Sequence, residues 1–385
     1  MASTCGSCVE LIAGGASILA DLITAAPHAE QKAFEAIKAS GAPVVLFGAG
    51  ELAWYNLAYL RQHGVEPVCI CDNDPAKQGA VHLGLPVYSY DGLREKWGRR
   101  APYNIVVSVG PQYKDAIFSQ LSAAHEQNPA WYLRGYEVCG EKITYAYFRE
   151  HLAQFEQAYS LLTDELSRTV FVNVLNAKLT GDFGLYRDVM GQSEYFDPDV
   201  VNLSEHEVLL DVGAYKGDVI VEFAKQTEAK YDGIIAFEPD TKTLAILQDT
   251  VARNKVQRLE IHNKGAWHEH AVLHFQDGRA GSSRVSESED AATQGTSVEV
   301  DTIDCILHGR RVTYVSMDIE GAERNALLGA EQSIKTWKPR VAVCVYHKRE
   351  DLFDLALLLK SFVPEYSFFL RHYTDNQTET VLYAV

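Results

Sequence analysis

The sequence contains no stretch of about 18 or more uninterrupted apolar residues, the length a membrane-spanning helix needs, so no membrane partner is expected. The first twenty residues lack a basic leading region. Their apolar run (Val9, Leu11, Ile12, Ile18, Leu19) is broken by Gly14 and Gly15, which does not read as a secretion signal, and a cytoplasmic address is expected. No run of Lys or Arg occurs, and 35 basic against 52 acidic residues leave a net charge of −17, which repels polyanions and argues against nucleic acid as a partner. Cysteine is sparse. Seven is an odd number, and Cys69, Cys71, Cys305 and Cys344 sit in apolar contexts, as reduced thiols do. Cys5 and Cys8 form a C-x-x-C pair, but no second pair or His pair completes a zinc ligand set, so a frayed terminus is the expectation there.

What is present points to two α/β cores. A chain of 385 residues exceeds one ordinary domain, and 47% hydrophobic with 23% charged residues is the composition of a folded protein. The apolar spacing predicts packing helices over residues 1–40 and a small Rossmann-like unit over 41–140. In that unit Val44-Val45-Leu46-Phe47 is a buried strand, Gly48 to Ala53 a glycine turn opening a helix, and Pro67 to Asp72 the next strand. Residues 141–204 read as a helical connector. From 205 to 385, five strand-like runs alternate with helix-length segments, which implies a parallel sheet with helices on both faces; Tyr366–Leu370 and Glu379–Ala384 add an antiparallel hairpin at its edge. The Ser-, Gly- and acid-rich stretch Gln276–Ser297 is expected to be a mobile loop.

Ligands of open α/β sheets lie beyond the carboxyl ends of the strands. In the second unit those ends carry Asp211, Glu238, Asn263, Asp318 and His347. The first turn, Asp211-Val212-Gly213-Ala214-Tyr215-Lys216-Gly217-Asp218, lets the backbone approach a ligand at Gly213 and Gly217. Its acids would repel a pyrophosphate at the helix N-terminus, but suit S-adenosylmethionine, which carries an ammonium and a sulfonium and no phosphate. Glu238, 27 residues after Asp211, ends the second strand, where a carboxylate can accept both hydroxyls of a ribose. Asp211 and Asp218 can also cap the following helix.

These blocks resemble the FkbM family of methyltransferases: Tyr195-Phe196-Asp197-Pro198, Leu209–Asp218, Ala236–Asp240, Asn263–Trp267, Met317–Glu323, Cys344–Lys348 and the terminal Glu379–Val385, in order over about half of the chain. The resemblance implies a class I methyltransferase fold and methyl transfer, usually to an oxygen, from S-adenosyl-L-methionine. It implies that Asp211, Gly213 and Gly217, with Tyr215 and Asp218 of the same turn, and Glu238 hold the cofactor. Asn263 would lie near the adenine, and Asp318 and Glu320 at the reaction centre. The acceptor expected is a small molecule with a hydroxyl, a sugar or nucleotide-sugar foremost, and a homodimer is possible.

An acceptor hydroxyl must lose its proton, and a positioned base is worth roughly 10²- to 10⁴-fold. Asp318 and His347 are the candidates, with Glu320 beside them; a helix cap (Asp318) and a loop contact (His347) are the structural alternatives. Whether Asp318 and Glu320 bind a divalent cation stays open. Arg284, Arg371 and His372 are candidates for contacting an acidic or phosphorylated acceptor, against solvated surface positions.

The first unit supplies the rival. Gly48-Ala49-Gly50-Glu51-Leu52-Ala53 fits G-x-G-x-x-G/A, and Asp72 lies 22 residues beyond Gly50, so Gly48, Gly50 and Asp72 form a possible second nucleotide site of an NAD(P)-dependent oxidoreductase or epimerase. Against it, no tyrosine is followed by lysine four positions on, and Glu51 stands where a pyrophosphate would lie. A non-catalytic scaffold of two Rossmann-like units is the third class considered.

Overall fold

Alternate residues of Val44–Phe47 (β1) face opposite ways, as strand geometry requires: Val44 and Leu46 join one apolar cluster, Val45 and Phe47 another. The chain, a computed structural model, describes residues 18–24, 29–97, 102–132, 143–182, 184–276, 284–286 and 296–385. The Cys5–Cys8 pair lies outside these. Around β1 the first sheet assembles Pro67–Cys71 (β2), Val81–His82 (β3), Leu85–Tyr88 (β4), Asn104–Val107 (β5) and Ala130–Trp131 (β6) in the order β3-β4-β2-β1-β5-β6. All pairings but β3–β4 are parallel. The helix Ala29–Ser40 covers one face through Phe34 and Ile37.

The second sheet has seven strands. Val208–Val212 (β7), Gly233–Phe237 (β8) and Leu259–His262 (β9) run to one edge. A small sheet follows, made of Gly265–Ala266 (β10), Ala271–Gln276 (β11), Arg284–Ser286 (β12) and Thr296–Asp301 (β13). The main sheet continues with Tyr314–Met317 (β14), Arg340–Cys344 (β15), Phe368–His372 (β16) and Thr380–Ala384 (β17), in the order β16-β17-β15-β14-β7-β8-β9. Only β17 runs against the rest, inserted between β16 and β15. The described parts of the stretch expected as a mobile loop are strands: β12 pairs with β11, and so does β13. The remainder of that stretch lies outside the described residues.

The strands of the main sheet are buried on both faces. Leu210, Val212, Val315, Val341 and Val343 enter one cluster; Leu209, Ile234, Ala236, Tyr314 and Ala342 enter the other. The helices between residues 141 and 204 furnish the cover of the first of these faces. Leu152–Leu161 and Glu165–Thr180 put Phe155, Phe171 and Val174 into the same cluster as Val341 and Leu382, and Phe155 meets Phe353 edge-on at 4.8 Å. Leu19 joins this cluster, and Thr24 donates its N–H to Asn176 Oδ1 at 2.8 Å, so residues 18–24 dock on the second unit rather than the first. No helix among the described residues is long and apolar enough to cross a membrane.

Candidate active site

The strand order reverses between β7 and β14, and a cleft opens there beyond their carboxyl ends. Two left-handed glycines shape its floor. Gly213 has φ +89°, and a Cβ on it would lie 2.0 Å from the Asp318 carbonyl oxygen, so only glycine lets the turn after β7 pass against the end of β14. Gly217, φ +91°, precedes the helix Asp218–Gln226. The Gly213 and Ala214 N–H groups both donate to the Phe237 carbonyl, at 3.1 and 2.9 Å, tying the turn to β8.

Acids line this cleft. Of its twelve residues five are carboxylates (Glu194, Asp211, Asp218, Asp318, Glu379) and none is Lys or Arg, among the described residues. Asp211 accepts the Ser316 hydroxyl at 2.6 Å on Oδ1, while its buried Oδ2 has no partner. Burial pushes this carboxyl up to about 7. Glu238 stands behind the turn: Oε2 accepts the Tyr215 N–H and Oε1 the Asp240 N–H, both at 2.9 Å. Burial raises it to about 7 as well, against the lowering effect of these two amides. Asn263 acts on the backbone; its Nδ2 donates to the Glu238 and Pro239 carbonyls at 2.8 and 2.9 Å and so fixes the bend after β8. Tyr215, held at φ +46°, is 55% exposed at the mouth.

At the other end Asp318 projects from β14. Its Oδ2 accepts hydroxyls from Tyr346 at 3.1 Å and Tyr195 at 3.4 Å, and its Oδ1 lies 3.3 Å from His347 Nε2. Burial raises Asp318 to about 6 although 30% of its side chain stays open to the cleft. Glu320, at φ +55°, brings Oε2 to 3.6 Å from the same nitrogen. Glu323, fully buried, accepts the N–H groups of Ile319 at 3.0 Å and Gly321 at 3.3 Å and lies 2.9 Å from His347 Nδ1. Burial pulls the imidazole down, but the charges of Glu323, Asp318 and Glu320 outweigh it and hold His347 at about 10. The surrounding acids thus favour the protonated imidazole over the free base. Glu194 and Glu379 face each other in the wall opposite, where burial and then a hydrogen bond with Glu379 push Glu194 far above the usual carboxylate range.

Two expected acceptor contacts are corrected. Arg371 is buried and spent internally, with Nη2 2.7 Å from Asp164 Oδ2, Nη1 2.9 Å from Ser167 Oγ, and Nε 3.5 Å from Asp197 Oδ2. His372 has no exposed surface; its ring stacks on Tyr186 at 4.6 Å, Nδ1 pairs with Thr380 Oγ1 at 2.8 Å, and burial lowers it to about 4. Neither faces an acceptor, and neither is the solvated surface group considered as the alternative. Arg284 falls on β12, and its side chain lies outside the described residues. In the first unit, a Cβ on Gly48 would lie 2.6 Å from the Ser108 carbonyl oxygen, so that glycine serves the neighbouring loop. Gly50 is open, and Asp72 Oδ2 accepts the Ala49 N–H of the turn at 2.6 Å.

Residues that sequence reasoning left out are Glu194, Glu379, Glu323 and Tyr346. Glu323 and Glu379 end or begin blocks that carry the family resemblance, and Glu194 abuts another. Only the fold shows that these separate blocks meet at one cleft.

The strand order, the glycine turn after the first strand of the sheet and the acid after the second define a class I methyltransferase fold. The solved methyltransferase FkbM from Methylobacillus flagellatus KT shares that fold, with a TM-score of 0.74 and 23% identity over 94% of this chain and 100% of its own. Residues 211–373 match the methyltransferase FkbM domain. An rRNA methylase from Streptococcus thermophilus aligns over 47% of this chain and 87% of its own at 13% identity, with a TM-score of 0.30. An Aeropyrum pernix fibrillarin aligns over 48% and 70% at 9% identity, with a TM-score of 0.32. No curated protein sequence matches the chain.

Proposed function

We propose that this chain transfers a methyl group from S-adenosylmethionine to a hydroxyl oxygen of a small polar acceptor, a carbohydrate foremost. The observation that carries the reading is the cleft at the sheet's switch point, with five carboxylates and no Lys or Arg among its described lining residues. A cationic cofactor gains from that field where a dinucleotide phosphate would be repelled. The residues fit: the buried Asp211 Oδ2 lacks a donor. Asp211, Asp218 and the turn between them would hold the amino-acid end, and Glu238 the ribose hydroxyls. When bound, the cofactor supplies an activated methyl group on its sulfonium.

The chain's own work is placement. Holding two reactants in line can supply about 7 to 11 kcal/mol. The carbon–oxygen bond forms as the carbon–sulfur bond breaks, and the hydroxyl proton is given up at the end of the cleft bearing Asp318, Glu320 and His347. Carboxylates there also accept hydrogen bonds from sugar hydroxyls, which supports a carbohydrate. A diphosphate has less support, since Arg371 and His372 are used elsewhere.

A thermal-shift panel with S-adenosylhomocysteine, NAD and NADP tests this. A ligand at about 100 times its Kd stabilises the native state by roughly 2.7 kcal/mol. S-adenosylhomocysteine is expected to raise the Tm; a shift with NAD or NADP alone overturns the reading.

A further inference from the structure

At the carboxyl ends of β14 and β15, carboxylates close on one buried imidazole. His347 keeps 2% of its side-chain surface, with Asp318 Oδ1 and Glu320 Oε2 at 3.3 and 3.6 Å from Nε2 and Glu323 Oε1 at 2.9 Å from Nδ1. Close as it is to the Asp318 and Glu320 oxygens, the buried Nε2 has no hydrogen-bond partner. Buried polar atoms are satisfied as a rule, so an unpartnered Nε2 between two carboxylates marks a missing group. The surrounding carboxylates make that group a cation.

We infer that His347 Nε2, Asp318 Oδ1 and Glu320 Oε2 hold a divalent metal ion, with Glu323 behind the ring; this deepens the methyl-transfer reading and rests on it. Neighbouring ligands on an ion with bonds of about 2.1 Å lie about 3 Å apart, and the Asp318 and Glu320 oxygens stand 3.3 and 3.6 Å from Nε2. Donor atoms of Asp318, Glu323 and His347 also lie within 4.8 Å of one another. The tyrosines on Asp318 Oδ2 leave Oδ1 turned to the ring. A ligating histidine ordinarily gives its other N–H to a carboxylate, and Glu323, itself held by two backbone amides, stands at Nδ1 to receive it. The ion replaces the Nε2 proton and supplies positive charge among the acids.

Asp318 lines the cleft, so an ion held there would stand beside the acceptor oxygen. A hydroxyl bound there is acidified and gives its proton to water, and Asp318 then serves as ligand rather than base. The methyl carbon passes to that oxygen and the sulfur keeps the bonding pair. One imidazole with two carboxylates is a nitrogen and oxygen set suited to a first-row ion such as Mn²⁺.

The test uses the full chain stripped with EDTA and titrated with MnCl₂, free Mn²⁺ being followed by EPR, with S-adenosylhomocysteine binding measured calorimetrically in parallel. One saturable Mn²⁺ per chain is expected. Glu320→Gln should weaken it at least about tenfold with S-adenosylhomocysteine affinity unchanged, in line with the usual cost of a perturbed metal shell. His347→Gln should abolish it. Should that buried substitution fail to fold, Glu320→Gln still decides, because its side chain is 42% exposed. Absence of saturable Mn²⁺ binding, or wild-type binding by Glu320→Gln, overturns the site. Mn²⁺ binding without S-adenosylhomocysteine binding would keep the ion and sink the methyl-transfer reading; the reverse pattern would do the opposite.

Discussion

The Glu238 carboxylate accepts the backbone N–H of Tyr215 at 2.9 Å, so the acid that ends the second strand of the sheet holds the glycine turn that follows the first. Asp72 does the same for Ala49 in the smaller unit, at 2.6 Å. The two Rossmann-like units thus share a device in which a carboxylate pins the glycine turn. They differ in what surrounds it: in the second unit the cleft continues into Asp211, Asp218 and Asp318.

Removal of that carboxylate should therefore strike cofactor binding first. Hydrogen bonds to a charged group are worth about 1.5 to 3 kcal/mol. Glu238→Ala is expected to weaken S-adenosylhomocysteine binding by about 10- to 100-fold in isothermal titration, and to lower the melting temperature of the free protein as the Tyr215 and Asp240 amides lose their acceptor. Retention of wild-type affinity would remove Glu238 from the cofactor site.

The same residue predicts a pH dependence. Burial holds its carboxyl at about 7 in the free protein, with Asp240 and Asp211 nearby adding to the rise and the amides of Tyr215 and Asp240 opposing it. Ribose hydroxyls donate to the ionised form, so binding favours loss of the proton. Affinity for S-adenosylhomocysteine should then rise with pH, being about tenfold weaker at pH 6 than on the plateau above pH 8. Calorimetry at pH 6, 7 and 8 measures this, and Glu238→Gln should flatten the part of the slope that Asp211 does not contribute.

Much of this architecture was legible before the fold was seen, because parallel strands buried on both faces read as short apolar runs and the turn after β7 carries its glycines and acids in one local block. What stayed hidden is long-range. Asp164 and Arg371 stand 207 residues apart, and nothing local says that a terminal arginine will be consumed by a helix-capping aspartate. The helices from Tyr145 to Thr180 show an apolar stripe that looks alike whether it joins two domains or covers a sheet; only Phe155 against Phe353 tells which. His347 was visible as a residue at a strand end, but its charge follows from Glu323, which reaches it through the fold.

Gly213 offers a steric test. A Cβ there would meet the Asp318 carbonyl oxygen at 2.0 Å, in a backbone conformation with φ +89° that costs other residues about 1 to 2 kcal/mol. The turn must move away from β14, against a further overpacking cost of about 1 to 3 kcal/mol. Gly213→Ala should lower the melting temperature and abolish S-adenosylhomocysteine binding together, read in one thermal-shift experiment with and without ligand. Intact binding would mean that the turn is not the cofactor's floor.

Arg371 separates a structural from a substrate role. It is 3% exposed and bridges the cap of the helix Glu165–Thr180 to Asp197, two segments that pack against the sheet edge. Breaking a buried pair by removing one partner costs about 3 to 5 kcal/mol; because Asp164 keeps a third of its side chain in water, the lower end applies. Arg371→Met should therefore destabilise by about 3 kcal/mol in urea unfolding at pH 7. Asp164 is held at about 2, against the opposing effect of burial, by hydrogen bonds from Arg371 and Ser167. A depressed carboxyl stabilises the fold above its usual pKa near 4 and loses that contribution as pH falls towards 2. The deficit of the variant should then be full at pH 5 and above and shrink as the pH falls below 4. A variant as stable as the parent, with weaker acceptor binding, would return Arg371 to the substrate side of the site.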